Sequence, residues 1–148
     1  MCKLLTEPQL TALAVDQPPR PGSIAGGESL LAGAPGCNFT NLAEQYGFLI
    51  VASTEIGLPE LLAKTQADPS RTPITVKGYP AVQEEGTLSA PERGSGVCFV
   101  DVDVADGQLL GVEFSQIAAS QEKRLPLETL CAKARQVAEA ALTTLQGG

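Results

Sequence analysis

Cys2, Cys37, Cys98 and Cys131 are the four cysteines of this chain, far apart and accompanied by no histidine. An even set of separated cysteines in a small domain reads as a structural disulfide framework, whereas a cytosolic metal or redox site gathers its thiols as C-x-x-C. The spacing therefore predicts two disulfides and an oxidising, extracytoplasmic compartment. Without histidine the chain lacks the commonest general base, the commonest zinc ligand and the usual partner of a nucleophilic serine or cysteine. The expectation is a noncatalytic protein with no catalytic residue, no metal site and no cofactor.

A chain of 148 residues that is 43% hydrophobic suffices for a single domain over residues 1–148, and is too short for two. Aromatic residues make up only 4%, so Leu, Val, Ile and Ala must fill the core, and stacking platforms for bases or sugars are scarce. Ten basic residues against 17 acidic give a net charge of -7, and the basic residues are scattered between Lys3 and Arg135. Nucleic acid and anionic membrane surfaces are excluded as partners on that balance. No apolar run reaches the length of a membrane span, and the first fifteen residues lack the pattern of a signal peptide. Met1 directly before Cys2 reads as an initiator placed ahead of a mature domain without its leader; on the contrary reading the chain is cytosolic with four free thiols.

Thr6-Glu7-Pro8-Gln9 has the form of a capping box with Pro in the first turn, and predicts a short helix to about Ala14. Residues 17–36, rich in Pro and Gly, read as a surface segment with one short strand around Ser23 to Leu31. Strands at Cys37 to Asn41 and Phe48 to Ser53 form a hairpin, and Gly57-Leu58-Pro59-Glu60 opens a second helix to about Ala67. Ile74 to Glu85 reads as one extended stretch, placed at a sheet edge or bulged by Pro80, and residues 86–96 as a mobile loop. In the strand Cys98 to Asp106, Cys98, Val100, Val102 and Val104 share a buried face while Asp101 and Asp103 share a wet one. After the turn at Asp106-Gly107 the return strand carries Leu110, Val112 and Phe114, and apolar spacing predicts a last helix from Pro126 to Leu145. The fold class is α+β, an antiparallel sheet of about five strands packed against helices. The turn at Asp106-Gly107 returns the chain beside Cys98 shortly before the helix of Cys131, which favours the pairs Cys98–Cys131 and Cys2–Cys37 among the three that four cysteines allow.

Cys2-Lys3-Leu4-Leu5-Thr6, Gly36-Cys37-Asn38-Phe39, Val76-Lys77-Gly78-Tyr79-Pro80-Ala81-Val82, Cys98-Phe99-Val100-Asp101-Val102 and Cys131-Ala132-Lys133-Ala134 together resemble an actinobacterial lipoprotein family, domain of unknown function 3558. Phe39 stands where that family is associated with Trp. The resemblance covers nearly the whole chain and implies export and a lipid anchor on a cysteine upstream. It implies no known reaction. The element order is also similar to the α/β sandwich of photosystem P-protein-like lipoproteins, a likeness of fold that carries no function.

Asp101-Val102-Asp103-Val104-Ala105-Asp106-Gly107 has the carboxylate alternation of a calcium loop, but Ala105 and Val112 stand where that loop needs ligands, so a solvated strand face is the plainer reading. Ser120-Gln121-Glu122-Lys123 matches S-x-x-K without its companion motifs. Glu84 and Glu85, adjacent on an extended segment, point to opposite faces and cannot flank one bond. Tyr79 and Pro80 are the candidate binding residues, since a Pro in an extended segment can leave an edge open to a partner. The function expected is a noncatalytic cell-envelope lipoprotein domain that binds or scaffolds an envelope protein, a polymer or a small apolar ligand, near Tyr79 or between the sheet and the last helix. The alternatives are a hydrolase using carboxylates such as Asp101 and Asp103, and a secreted inhibitor or immunity factor presenting residues 86–96.

Overall fold

The computed structural model describes residues 1–23, 31–65, 69–87, 96–116 and 121–147. Helix α1 (Glu7–Ala12) is followed by strands β1 (Arg20–Gly22), β2 (Gly36–Asn41) and β3 (Tyr46–Ser53), then helix α2 (Leu58–Lys64). Strands β4 (Arg71–Val76), β5 (Tyr79–Thr87), β6 (Gly96–Ala105) and β7 (Gln108–Gln116) lead to a 3-10 turn at Gln121–Lys123 and helix α3 (Leu127–Gly147). The strands form one antiparallel sheet in the order β1-β2-β3-β7-β6-β5-β4.

Local chemistry accounts for the helix starts. The Thr6 N–H donates to Gln9 Oε1 at 2.7 Å, and the Gly57 N–H donates to Glu60 Oε2 at 3.0 Å. Each satisfies a donor that the first helical turn leaves open. Along α3, Leu130, Cys131, Ala134, Val137, Ala138, Ala141 and Leu142 are buried at helical spacing, and the small alanines let the helix lie close on the sheet.

Among the described residues the sheet has seven strands, against the about five expected from sequence. One addition is β1, within the Pro- and Gly-rich stretch and paired to β2 through Arg20↔Asn38. The strand expected around Ser23 to Leu31 falls almost wholly on residues 24–30, outside the described ones, as do 66–68 of the second helix, 88–95 of the expected loop and Ser120. The other addition arises because Ile74 to Glu85 is two strands. Lys77 and Gly78 take φ of 49° and 86°, the left-handed pair of a two-residue hairpin turn, and fold β5 back on β4.

This moves Pro80 from the expected edge. Strand β5 has β4 on one side and β6 on the other, and β4 is the outer strand. Pro80 is tolerated because pairing with β6 begins one residue later, at Ala81↔Val102. The outer strands β1 and β4 carry Pro21 and Pro73, which discourage addition of a further strand.

One face of the sheet packs on α1 and α3. There Phe39, Phe48 and Phe114, matched across β2, β3 and β7, stack with ring centroids 4.9 and 5.7 Å apart. Such cross-strand pairs are a main source of sheet stability. Both disulfides lie on this face: Cys2–Cys37 ties the N-terminus to β2, and Cys98–Cys131 ties α3 to β6, each with Cα atoms 5.1 Å apart. The opposite face, expected to be wet, is also covered. Leu49, Val51 and Leu109 are buried there with Leu31, Ile56 and Leu58, beneath α2 and its flanking chain.

Cys98 and Cys131 close a loop with a sequence separation of 33, which in the chain-entropy account is worth about 3–4 kcal/mol. The double variant C98A/C131A is expected to lose about that much unfolding free energy in urea titration. A loss below about 1 kcal/mol would contradict that assignment.

Candidate functional site

The outer face carries a half-open cavity of about 380 Å³ between the sheet and α2. Strand parity selects its walls. Leu49 and Val51 of β3, Val82 and Glu84 of β5, Phe99 and Asp101 of β6, and Gly111 and Glu113 of β7 all alternate onto this face, and Leu61 and Leu62 of α2 line it from above. Arg71 reaches in from β4.

Four charged side chains interrupt this apolar lining. Arg71 and Glu84 are cross-strand partners, with Nε 2.5 Å from Oε2, and Arg71 Nη1 also donates to Thr65 Oγ1 at 2.8 Å. The guanidinium thus links the end of α2 to the β4–β5 hairpin. Asp101 lies over Gly111, its register partner on β7, and a Cβ at Gly111 would come 3.0 Å from Asp101 Oδ1 and 2.9 Å from Val51 Cγ2. The missing side chain makes room for the carboxyl.

Burial dominates the state of the acids. The Asp101 carboxyl, on a half-buried residue of the cavity wall, is pushed up from its ordinary 3.8 to about 7, first by desolvation and then by the negative Glu84, with Arg71 opposing. Desolvation also raises Glu113. No hydrogen bond from a described residue reaches either carboxyl. Asp103, two residues along the same strand face, does not line the cavity, so the pair Asp101 and Asp103 does not converge there. Among the described residues, no group of three or more Cys, Asp or Glu is placed to hold a metal ion.

Glu84 and Glu85 do face opposite ways, Glu84 into the cavity and Glu85 to solvent. Tyr79 and Pro80, the binding residues expected from sequence, do not line this cavity. Tyr79 packs toward α3, where its hydroxyl accepts a bond from Gln146 Nε2 at 3.3 Å, and Pro80 is exposed on an inner strand. The interface of the sheet with α3, the other location expected for a ligand, is filled by side chains such as Leu130, Ala134, Val137 and Ala138, all fully buried. From sequence Glu113 reads only as lying on the face opposite Leu110, Val112 and Phe114, and neither Arg71 nor the apolar walls stand out as a site. Their signal was the uninterrupted run Phe48-Leu49-Ile50-Val51, the mark of a strand buried on both faces.

The family model described as "Protein of unknown function (DUF3558)" matches residues 1–144. No curated protein matches the chain. A crystal structure from Bacteroides thetaiotaomicron VPI-5482 is similar at 10% identity with a TM-score of 0.49; the match covers 80% of this chain and 40% of that one.

Because Asp101 binds its proton more tightly folded (about 7) than unfolded (3.8), stability falls as pH rises from about 4 to about 7 and levels above that. Asp101→Asn removes this loss. It is expected to raise unfolding free energy by up to about 4 kcal/mol at pH 8 and to change it little at pH 4. Urea titrations of both proteins at the two pH values measure it, and an equal effect at both would contradict it.

Proposed function

The chain belongs to the DUF3558 family, and from that premise we propose that it is a noncatalytic cell-envelope domain that holds a small, largely apolar ligand in the cavity between its sheet and α2. The supporting observation is the cavity itself. At about 380 Å³ it has the size of a small-molecule site, and leucine, valine and phenylalanine walls surround a few charged groups that could orient a guest. Two disulfides support an extracytoplasmic setting. A lipid on a cysteine upstream of this domain would hold it at the outer face of the cytoplasmic membrane. Among the described residues no helix is long and apolar enough to cross a membrane.

A second reading draws on Asp101, since a carboxyl titrating near 7 in a cleft suits general acid–base chemistry. It would pair Asp101 with Glu113, in place of the Asp101 and Asp103 pair expected from sequence. Turnover abolished by Asp101→Asn would favour it over binding alone.

The neutral apolar dye prodan is expected to bind saturably, one molecule per chain, with a blue-shifted emission. Leu62→Trp, at a partly exposed position on the cavity rim, should weaken that binding at least tenfold while preserving the fold. Non-saturable binding, or saturable binding indifferent to Leu62→Trp, would rule the reading out.

A further inference from the structure

We infer that the cavity selects an organic cation, an amine carried on an apolar body, with Asp101 and Glu113 as the groups that receive its ammonium. This rests on the ligand-binding reading above and names the chemistry of the guest.

The argument begins with which charges are already matched. Arg71 is committed to Glu84 and Thr65, at 2.5 and 2.8 Å. Asp101 and Glu113 have no such partner among the described residues, although both open into the same apolar space. They sit diagonally across β6 and β7, since Asp101 is opposite Gly111 and Phe99 opposite Glu113. Diagonal positions on one sheet face are about 7–8 Å apart, near enough for one small group to meet both side chains. A primary ammonium brings three donors and no acceptor, which matches two acceptor carboxylates. Gly111 keeps the space beside Asp101 open.

Other guests fit less well. A carboxylate or phosphate would be repelled by ionised Asp101 and Glu113 and would find the guanidinium bonded to Glu84 and Thr65. Calcium or magnesium needs about six or more oxygen ligands, and among the described residues no group of three or more Cys, Asp or Glu is placed to hold a metal ion. A neutral alcohol could bond a protonated Asp101 but brings no positive charge for an ionised Asp101 or Glu113.

Binding of the ammonium requires Asp101 ionised, so its proton leaves to solvent as the amine enters. The charged groups facing Asp101 are Arg71 from β4, Glu84 from β5 and Glu113 from β7, with Asp103 next on its own face; β3 and α2 line the cavity with apolar residues only, among those described. Affinity for an amine therefore increases with pH until Asp101 is fully ionised.

Displacement of prodan by octylamine, octanol and octanoate at pH 5.5 and 8.5 tests this. Octylamine is expected to bind at least tenfold tighter than the other two at pH 8.5, and about 30-fold tighter there than at pH 5.5 for a group titrating at about 7. Asp101→Asn, which should fold at least as well, is expected to lose tenfold or more for octylamine at pH 8.5 and to abolish the pH dependence. Octanol or octanoate matching octylamine at pH 8.5 would overturn the assignment of a cation while leaving the cavity as a ligand site. So would octylamine binding that Asp101→Asn leaves unchanged. Displacement by none of the three, with no saturable prodan binding, would remove the ligand site and this inference together.

Discussion

The Cys98–Cys131 bond decides which face of the sheet is solid. It joins α3 to β6 near the middle of the molecule, where both sulfurs are fully buried. Around it Val100, Val102, Leu110 and Val112 form one buried cluster with Leu130, Ala134 and Val137. A chain with four phenylalanines, two tyrosines and no tryptophan has little bulk with which to fill a core, so a covalent tie and a helix of small residues substitute for it. With its best packing committed to that side, the sheet keeps open space on the other.

The two faces consequently handle polarity in opposite ways. On the α3 side buried polar groups are bonded: Gln116 accepts from the Leu125 N–H and donates to Lys123 O, each at 2.7 Å, and Gln83 accepts from Arg135 Nη1. On the α2 side Arg71 and Glu84 satisfy each other, while Asp101 and Glu113 remain in an apolar wall without a hydrogen bond from a described residue. Such groups cost stability wherever they are charged. Their presence beside a cavity is what separates a candidate site from a packing defect.

Much of this was legible in the residues. The helix starts at Thr6 and Gly57, the alternation from Cys98 to Val104 and the apolar spacing of α3 each act over a few positions, and local rules read them. The β4–β5 hairpin was missed because Lys77-Gly78 is a weaker turn signal than Asn-Gly and Pro80 suggested a single edge strand. The cavity was missed for a different reason. Its walls come from β3, β5, β6, β7 and α2, and their meeting depends on β3 pairing with β7 and on α2 crossing the outer face. Neither event has a short-range signature. Asp101 and Asp103 looked like a wet edge because their strand alternates cleanly, and only the cover contributed by distant Leu49, Leu61 and Leu62 makes Asp101 a cavity group.

The joint between β3 and β7 sets the order in which this chain can complete itself. Ser53 waits for Leu109, and Tyr46 for Gln116, more than fifty residues further on. Until that late strand is synthesised, the β2–β3 hairpin stands with a row of unpaired amides and an apolar strand bare on both sides. Assembly dominated by such distant pairings is slow, and an open strand of that kind invites association between nascent molecules. Delivery of the whole polypeptide before its sheet closes is therefore a demand that the topology places on the cell.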